Sequence, residues 1–277
     1  MSAATIGATA MSVTPSELLR NKVREKLARD EVVASMTVRL VRGVEIAQIA
    51  ASAGFDTLYV DMEHGPLSLD MTGQICMAAL ACGITPFVRV PALSADYIGR
   101  VLDAGSLGII APHVRSAQEA RAVVEMAKFP PLGTRSAAGH MPHFGYRPFP
   151  ATESNPVLDA ATMVIPMIET LDALEKVEEI VAVEGVDMLL VGTNDLTAEM
   201  GIPGEFDHPQ VRAAYARIIA AARGRGKHVG IGGLAGRPDL TAEFVKMGAR
   251  YVSTGTDLGF LVGACAAKAR EVRAMAT

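Results

Sequence analysis

The 277-residue sequence predicts an α/β fold, a (β/α)8 TIM barrel with an N-terminal helix and a long loop after the fourth helix. Three observations carry that expectation. Short β-branched runs alternate with Ala-rich stretches of helical period, the pattern of βα units wrapped around a parallel sheet. The alternation repeats eight times. Six glycines, Gly54, Gly83, Gly105, Gly185, Gly226 and Gly248, fall just past the ends of six helical stretches, where a left-handed closing residue is favoured. A doubly wound open sheet is the lesser alternative.

Taken in order, residues 1–13, "MSAATIGATAMSV", are small and weakly polar without the basic start of a secretory signal, and read as a flexible tail. The barrel domain is expected over 14–277, a length that single α/β barrels approach. Thr14 as cap and Pro15 at the first helical position open a helix over 15–29, placed to close the barrel floor. Strands follow at "VASMTV" (33–38), "TLYVDM" (57–62), "TPFVRV" (85–90), "LGIIAP" (107–112), "TMVIPM" (162–167), "VDMLLV" (186–191), "HVGIGG" (228–233) and "RYVSTG" (250–255). Helices are expected over 43–53, 69–81, 94–104, 116–127, 171–183, 208–225, 237–247 and 257–275. The insertion over 129–160 is rich in Pro, Gly, His and aromatics and reads as a loop.

Composition narrows the function classes. Half of the residues are hydrophobic but only 5% are aromatic, with no Trp, so the core is aliphatic. A formal charge of -4 with scattered Lys and Arg excludes the footprint of a nucleic-acid binder. Cys76, Cys82 and Cys265 are odd in number and lack CxxC spacing, so neither a disulfide framework nor a zinc site is expected. No apolar run reaches the length of a membrane span, and a soluble cytoplasmic protein is the expectation.

Barrel active sites form at the carboxyl ends of the strands. Polar residues gather there: Arg39 and Arg42, then Asp61, Glu63 and His64, Arg89, His113 and Arg115, Glu169, Asn194 and Asp195, Thr256 and Asp257. Glu169 and Asp195 follow neighbouring strands, and paired hard carboxylates suit Mg²⁺ or Mn²⁺ with open coordination positions. Singly, each reads equally as a helix-start residue. His64 is either a partly buried structural histidine or a proton carrier. Arg89 is either paired with a protein carboxylate or kept for a substrate carboxylate or enolate oxygen. In "GTNDLTAEMG", Gly192 and Thr193 turn into a short helix whose Asn194 and Asp195 N–H groups can receive an anion. None of the seven lysines stands at a strand's carboxyl end, so a Schiff base has no obvious nucleophile and a metal must act as electron sink.

The ordered motifs "AGFDTLYVDMEHGP", "PFVRVP", "VLDAGSLGIIAPHV", "PLGTRS", "IPMIET" and "VGTNDL" resemble those of the HpcH/HpaI family of metal-dependent class II pyruvate aldolases, over residues 17 to 270. That family includes dihydroxyheptenedioate and dehydro-deoxy-glucarate aldolases. The resemblance implies a divalent cation (Mg²⁺, Mn²⁺ or Co²⁺) on Glu169 and Asp195, enolate stabilisation by Arg89, and His64 as general base paired with Asp103. It implies a pyruvate carboxylate held at Gly192, Thr193, Asn194 and Asp195, an acidic second layer of Asp61 and Glu63, and Arg135 in a "GxR" loop. Two positions depart from the family pattern: Met167 stands where many members have Gln, and "GTNDL" replaces "GPxDL".

The implied reaction cleaves or forms 4-hydroxy-2-oxo acids to or from pyruvate, or hydroxypyruvate, and an aldehyde. The alternative is a related barrel lyase, an oxaloacetate decarboxylase or a citramalyl- or malyl-CoA-type enzyme, although no basic patch for a CoA phosphate is evident. A non-catalytic barrel serving as an oligomeric scaffold or ligand-binding protein is the reading from another class. The resemblance also implies a homo-oligomer, a hexamer built as a dimer of trimers with the last helix exchanged. The apolar "LGFLVGACAA" fits that packing and fits an ordinary buried eighth helix equally well.

Overall fold

A computed structural model describes residues 13–275, and all of the expected tail except Val13 lies outside the described residues. Eight parallel strands close into a barrel in sequence order: β1 (Val33–Val38), β2 (Thr57–Asp61), β3 (Thr85–Arg89), β4 (Gly108–Ala111), β5 (Met163–Ile168), β6 (Met188–Gly192), β7 (His228–Gly232) and β8 (Tyr251–Thr256). In this closed order β1 pairs with β2 and β8, so it stands across the barrel from β5. All six helix-closing glycines take positive φ, from 67° at Gly226 to 123° at Gly248. They stop each helix and return the chain to the floor, where the next strand starts.

Apolar side chains fill two zones. One lies between the sheet and the surrounding helices, around Val60, Val88, Ile109, Leu189 and Ile231. The other fills the barrel interior and floor, where Leu19, Val23 and Leu27 pack with Phe87, Leu107 and Tyr251. Each such large side chain taken out of water contributes roughly 1.5–3 kcal/mol. The N-terminal segment therefore closes the floor as expected, but as two helices, Pro15–Leu18 and Lys22–Ala28. Asn21 causes the break. Its side chain accepts the Arg24 N–H to cap the second helix and donates to the Ala161 carbonyl at 2.7 Å.

The stretch expected as one helix over 171–183 also divides, into Leu171–Glu175 and Val177–Ala182. The insertion departs further from expectation. It holds a 3-10 turn (Pro142–Phe144) and a helix (Ala151–Ala161) with Pro156 inside, and it buries Phe129, Met141, His143 and Phe144. Packing at Ser154, Leu158 and Ala161 outweighs the bond that Pro156 cannot make. Lys128 ties the insertion's two ends together, donating to the carbonyls of Asp159 and Thr162 at 2.6 Å each.

The last helix (Asp257–Ala274) is not an ordinary buried one. Asp257 is its only buried residue, while Leu258, Leu261, Val262 and Val272 are 43–59% exposed. No helix among the described residues is long and apolar enough to cross a membrane.

Candidate active site

At the carboxyl ends of the strands lies a cavity of about 280 Å³, bordered by Arg39, Asp61, His64, Arg89, Met167 and the Gly192–Asp195 turn, with hydroxyls from β1 and β8 on its far side. Its floor is an ionic lattice. Arg89, at the end of β3, is buried and grips Asp61 with two bonds, Nε to Oδ1 at 2.9 Å and Nη2 to Oδ2 at 2.6 Å. Its Nη1 lies 2.6 Å from Glu63 Oε2 and 4.0 Å from the Met167 sulfur. Of the two readings that sequence left open for Arg89, the protein carboxylate is realised. Yet its Nη1 also faces a thioether, a weak acceptor that a ligand oxygen displaces readily.

Asp61 is fully buried. Burial opposes its charge, but the Arg89 guanidinium and the His64 N–H outweigh that cost and hold the carboxyl below the usual carboxylate range. The turn behind it is tight. A Cβ on Gly65 would stand 2.5 Å from the Asp61 carbonyl and 3.3 Å from that of Arg39, so glycine lets the β2 loop lie against the β1 loop.

Glu169 ends β5 with 1% exposure. One oxygen accepts the His113 N–H at 2.6 Å; the other, Oε2, is buried without a hydrogen-bond partner. Burial raises its pKa, the nearby charges of Asp195 and Glu63 add to the rise, and His113 opposes it. Gly192 stands directly over it: a Cβ there would lie 2.5 Å from Oε2.

Beyond Gly192, the first turn of the helix Thr193–Glu199 carries Asn194 and Asp195, both exposed at the cavity. The N–H groups of its first turn have no partner further back in the helix. The Thr193 side chain is not free, since its hydroxyl bonds the Tyr215 hydroxyl at 2.7 Å and the Gly232 carbonyl at 2.6 Å. It anchors the turn to β7.

The pair Glu169 and Asp195 fits a divalent cation. A buried oxygen without a partner, a second carboxylate close enough to perturb it, and a wall cleared by a missing Cβ suit a hard ion. No group of three or more His, Cys, Asp or Glu suited to a metal occurs among the described residues. An ion here would rest on two carboxylates and keep open positions.

His64 is half exposed at the mouth, with Glu63 Oε2 3.9 Å from its Nε2. The expected partner Asp103 is elsewhere in the chain. It ends the helix Ala95–Asp103, which runs back toward the floor, and it accepts a 2.7 Å bond from Arg135 while bordering a separate cavity with Asp70 and Arg100. Arg135 follows it there, buried, its guanidinium 4.7 Å from the Phe129 ring. Neither residue joins the cavity: Asp103 ends a helix that runs away from it, and Arg135 lies in the insertion, which packs at the barrel floor.

Sequence puts His113 on the rim but gives it no role. It takes φ +57°, and its ring bridges Glu63 Oε1 at 2.7 Å and Glu169 Oε1 at 3.2 Å. The signal in the sequence was its place two residues after β4, whose neighbour is β5. Asp257 is likewise no more than a rim residue by sequence. It is buried and accepts the N–H groups of Arg39, Leu40 and Val41 at 2.7–2.9 Å, fixing the β1 loop.

A family model described as HpcH/HpaI aldolase/citrate lyase matches residues 42–264. A 4-hydroxy-4-methyl-2-oxoglutarate aldolase of Chaetomium globosum is 42% identical over 225 residues, 79% of this chain and 82% of that one. Its counterpart in Hapsidospora irregularis is 43% identical over 216 residues, 77% of this chain and 80% of that one. Among solved structures, an HpcH/HpaI aldolase from Desulfitobacterium hafniense superposes with a TM-score of 0.85 at 29% identity, covering 91% of this chain and 96% of the other.

Proposed function

Because the chain belongs to the HpcH/HpaI aldolase/citrate lyase family and is a carbon–carbon lyase of the aldolase type, we propose that the cavity cleaves and forms 4-hydroxy-2-oxo acids, with pyruvate or hydroxypyruvate as the oxo-acid partner. The observation that carries the site assignment is the buried, unpartnered Oε2 of Glu169 beneath Gly192. Glu169 and Asp195 would hold Mg²⁺, Mn²⁺ or Co²⁺. Such an ion, when bound, supplies a Lewis acid for a ketone oxygen.

The chain's own residues do the rest. The N–H groups of Asn194 and Asp195 receive the oxo acid's carboxylate, as free helix-start donors do. His64 takes the proton of the C4 hydroxyl and returns a proton at C3, with Glu63 rather than Asp103 as the carboxylate beside it in the same chain. Arg89, locked by Asp61 and Glu63, stands ready to stabilise negative charge that develops as C3–C4 breaks. Its fixed geometry avoids reorganisation during the reaction.

The apolar stripe on helix Asp257–Ala274 supports a homo-oligomer in which a second copy covers it, a hexamer in our reading. A cytoplasmic location suits the free thiols of Cys76, Cys82 and Cys265.

Titration with Mn²⁺, read by electron paramagnetic resonance, tests the site directly. Wild type should bind the ion, and Glu169→Gln and Asp195→Asn should each weaken binding by at least about tenfold, since each removes one charged oxygen ligand. Cleavage activity should vanish in EDTA. Unchanged Mn²⁺ binding in both variants would refute the assignment.

A further inference from the structure

The floor of the barrel holds a cavity of its own, of about 230 Å³, between the two N-terminal helices, the insertion and the starts of β3 and β4. It is remote from the cleavage chemistry. Thr85, on its border, begins β3, and Arg89 ends the same strand about 13 Å away, at roughly 3.3 Å per residue.

The residues around this cavity are ordered by depth. Arg20 and Lys22 are exposed at its mouth, while Leu19, Ile84, Leu107 and His143 are buried behind them. The two cations differ in what they hold. Arg20 grips both oxygens of Glu25, Nε to Oε1 at 2.8 Å and Nη2 to Oε2 at 2.7 Å. Lys22 has no hydrogen-bond or ion-pair partner among the described residues. Its charge reaches Glu25, but Arg20 has already taken that carboxylate. Its Nζ instead lies against Gly83, where a Cβ would stand only 3.1 Å from it.

His143 supplies the opposite chemistry at depth. Its Nε2 donates to the Ser106 carbonyl, so the ring proton is there and Nδ1 is left as a bare acceptor. Nδ1 is buried without a partner. Burial keeps the ring neutral, lowering its pKa to about 4, so Nδ1 stays an acceptor at neutral pH. An uncommitted cation at the mouth, an aliphatic wall and an unpaired acceptor below define one ligand chemistry: an anion, a hydrocarbon chain and a hydrogen-bond donor, in that order.

We propose that the floor cavity binds a short-chain hydroxycarboxylate, with its carboxylate on Lys22, its carbons along Leu19, Ile84 and Leu107, and its hydroxyl donating to Nδ1 of His143. At roughly 30 Å³ for each water-sized group the space takes about seven or eight of them, a chain of about six carbons with the carboxylate at the mouth. Such a ligand does not reach Glu169 or Asp195 and undergoes no reaction. The inference is independent of the aldolase reading.

The test is calorimetric titration of wild type with 6-hydroxyhexanoate at neutral pH, with pyruvate and Mg²⁺ in excess to keep the upper cavity occupied. Wild type should bind it. Hexanoate, which lacks the donor, and 1,6-hexanediol, which lacks the charge, should each bind about three- to tenfold more weakly. Lys22→Met should weaken 6-hydroxyhexanoate about three- to fivefold, because an exposed ionic contact is partly screened, and Lys22→Glu should weaken it further. His143→Phe should erase the difference between 6-hydroxyhexanoate and hexanoate. Thermal unfolding checks each variant, and the Lys22 variants, altered at an exposed side chain, decide the matter even if His143→Phe does not fold. No binding by wild type, equal binding of hexanoate, or unchanged binding in Lys22→Glu overturns the inference.

Discussion

A Cβ placed on Gly192 would stand 2.5 Å from Oε2 and 2.9 Å from Cβ of Glu169. Those distances lie well inside van der Waals contact, so Gly192→Ala must displace the carboxylate that the site depends on. The backbone there, φ -85° and ψ 81°, does not require glycine, so the clash is local. Gly192→Ala should therefore weaken Mn²⁺ binding by about tenfold or more, in line with second-layer effects on metal ligands, while the melting temperature moves little. Binding like that of wild type would show that Oε2 has room to move. At this scale sequence discloses residues by position: Asp61 and Arg89 end barrel strands and Glu63, His64, Glu169 and Asp195 follow them, where chemistry is expected. It could not disclose that Glu169 has one oxygen tied to His113 and the other left bare. That depends on a left-handed residue after β4 turning its N–H and ring toward β5.

Elements with strong periodicity and glycine stops are legible to within a residue or two, apart from the division of the 171–183 stretch, because local propensity and tertiary packing favour the same state in them. The insertion was not. Pro142, Pro150 and Pro156 signal breaks locally, and the helix Ala151–Ala161 forms because the floor offers apolar contact and because Lys128 and Asp159 fasten its C-terminal end. That long-range support also places Arg135 away from the cavity, where it pairs with Asp103 at the end of its own helix. The same packing buries His143, whose Nε2 bonds the Ser106 carbonyl at 3.1 Å. Burial, helped by the charge of Arg135, lowers its pKa from 6.5 to about 4, against the pull of that carbonyl and of Asp103. The unfolded chain therefore takes up the proton first. The stabilisation is complete above pH 6.5 and is lost as pH falls toward 4, by at most about 3 kcal/mol. Urea unfolding of wild type and His143→Gln at intervals from pH 7 to pH 4 should show wild type losing stability faster. Parallel losses would mean that the imidazole is not buried as a neutral group.

For the molecule as a whole, the surface of helix Asp257–Ala274 is the feature that an isolated barrel leaves unexplained. Leu258, Leu261, Val262, Cys265, Ala269 and Val272 recur at spacings of three and four, so they form one apolar stripe along it. In the other barrel helices such a stripe faces the sheet. Here it faces outward, and the helix is held mainly at its start, by the buried Asp257 and by Phe260 against Phe55 at 6.1 Å between ring centres. Leaving four large aliphatic side chains in water forgoes about 1.5–3 kcal/mol each relative to burial, a cost that a second copy removes. Wild type should accordingly sediment well above the 29.1 kDa of one chain. Leu261→Asp combined with Val272→Asp should shift it toward a single chain, because two charges would then be buried without partners. Since the helix also carries Asp257, which holds the β1 loop beside the cavity, dissociation should reduce cleavage activity without releasing Mn²⁺ from Glu169 and Asp195. Sedimentation of wild type at 29.1 kDa would show that this stripe needs no second copy.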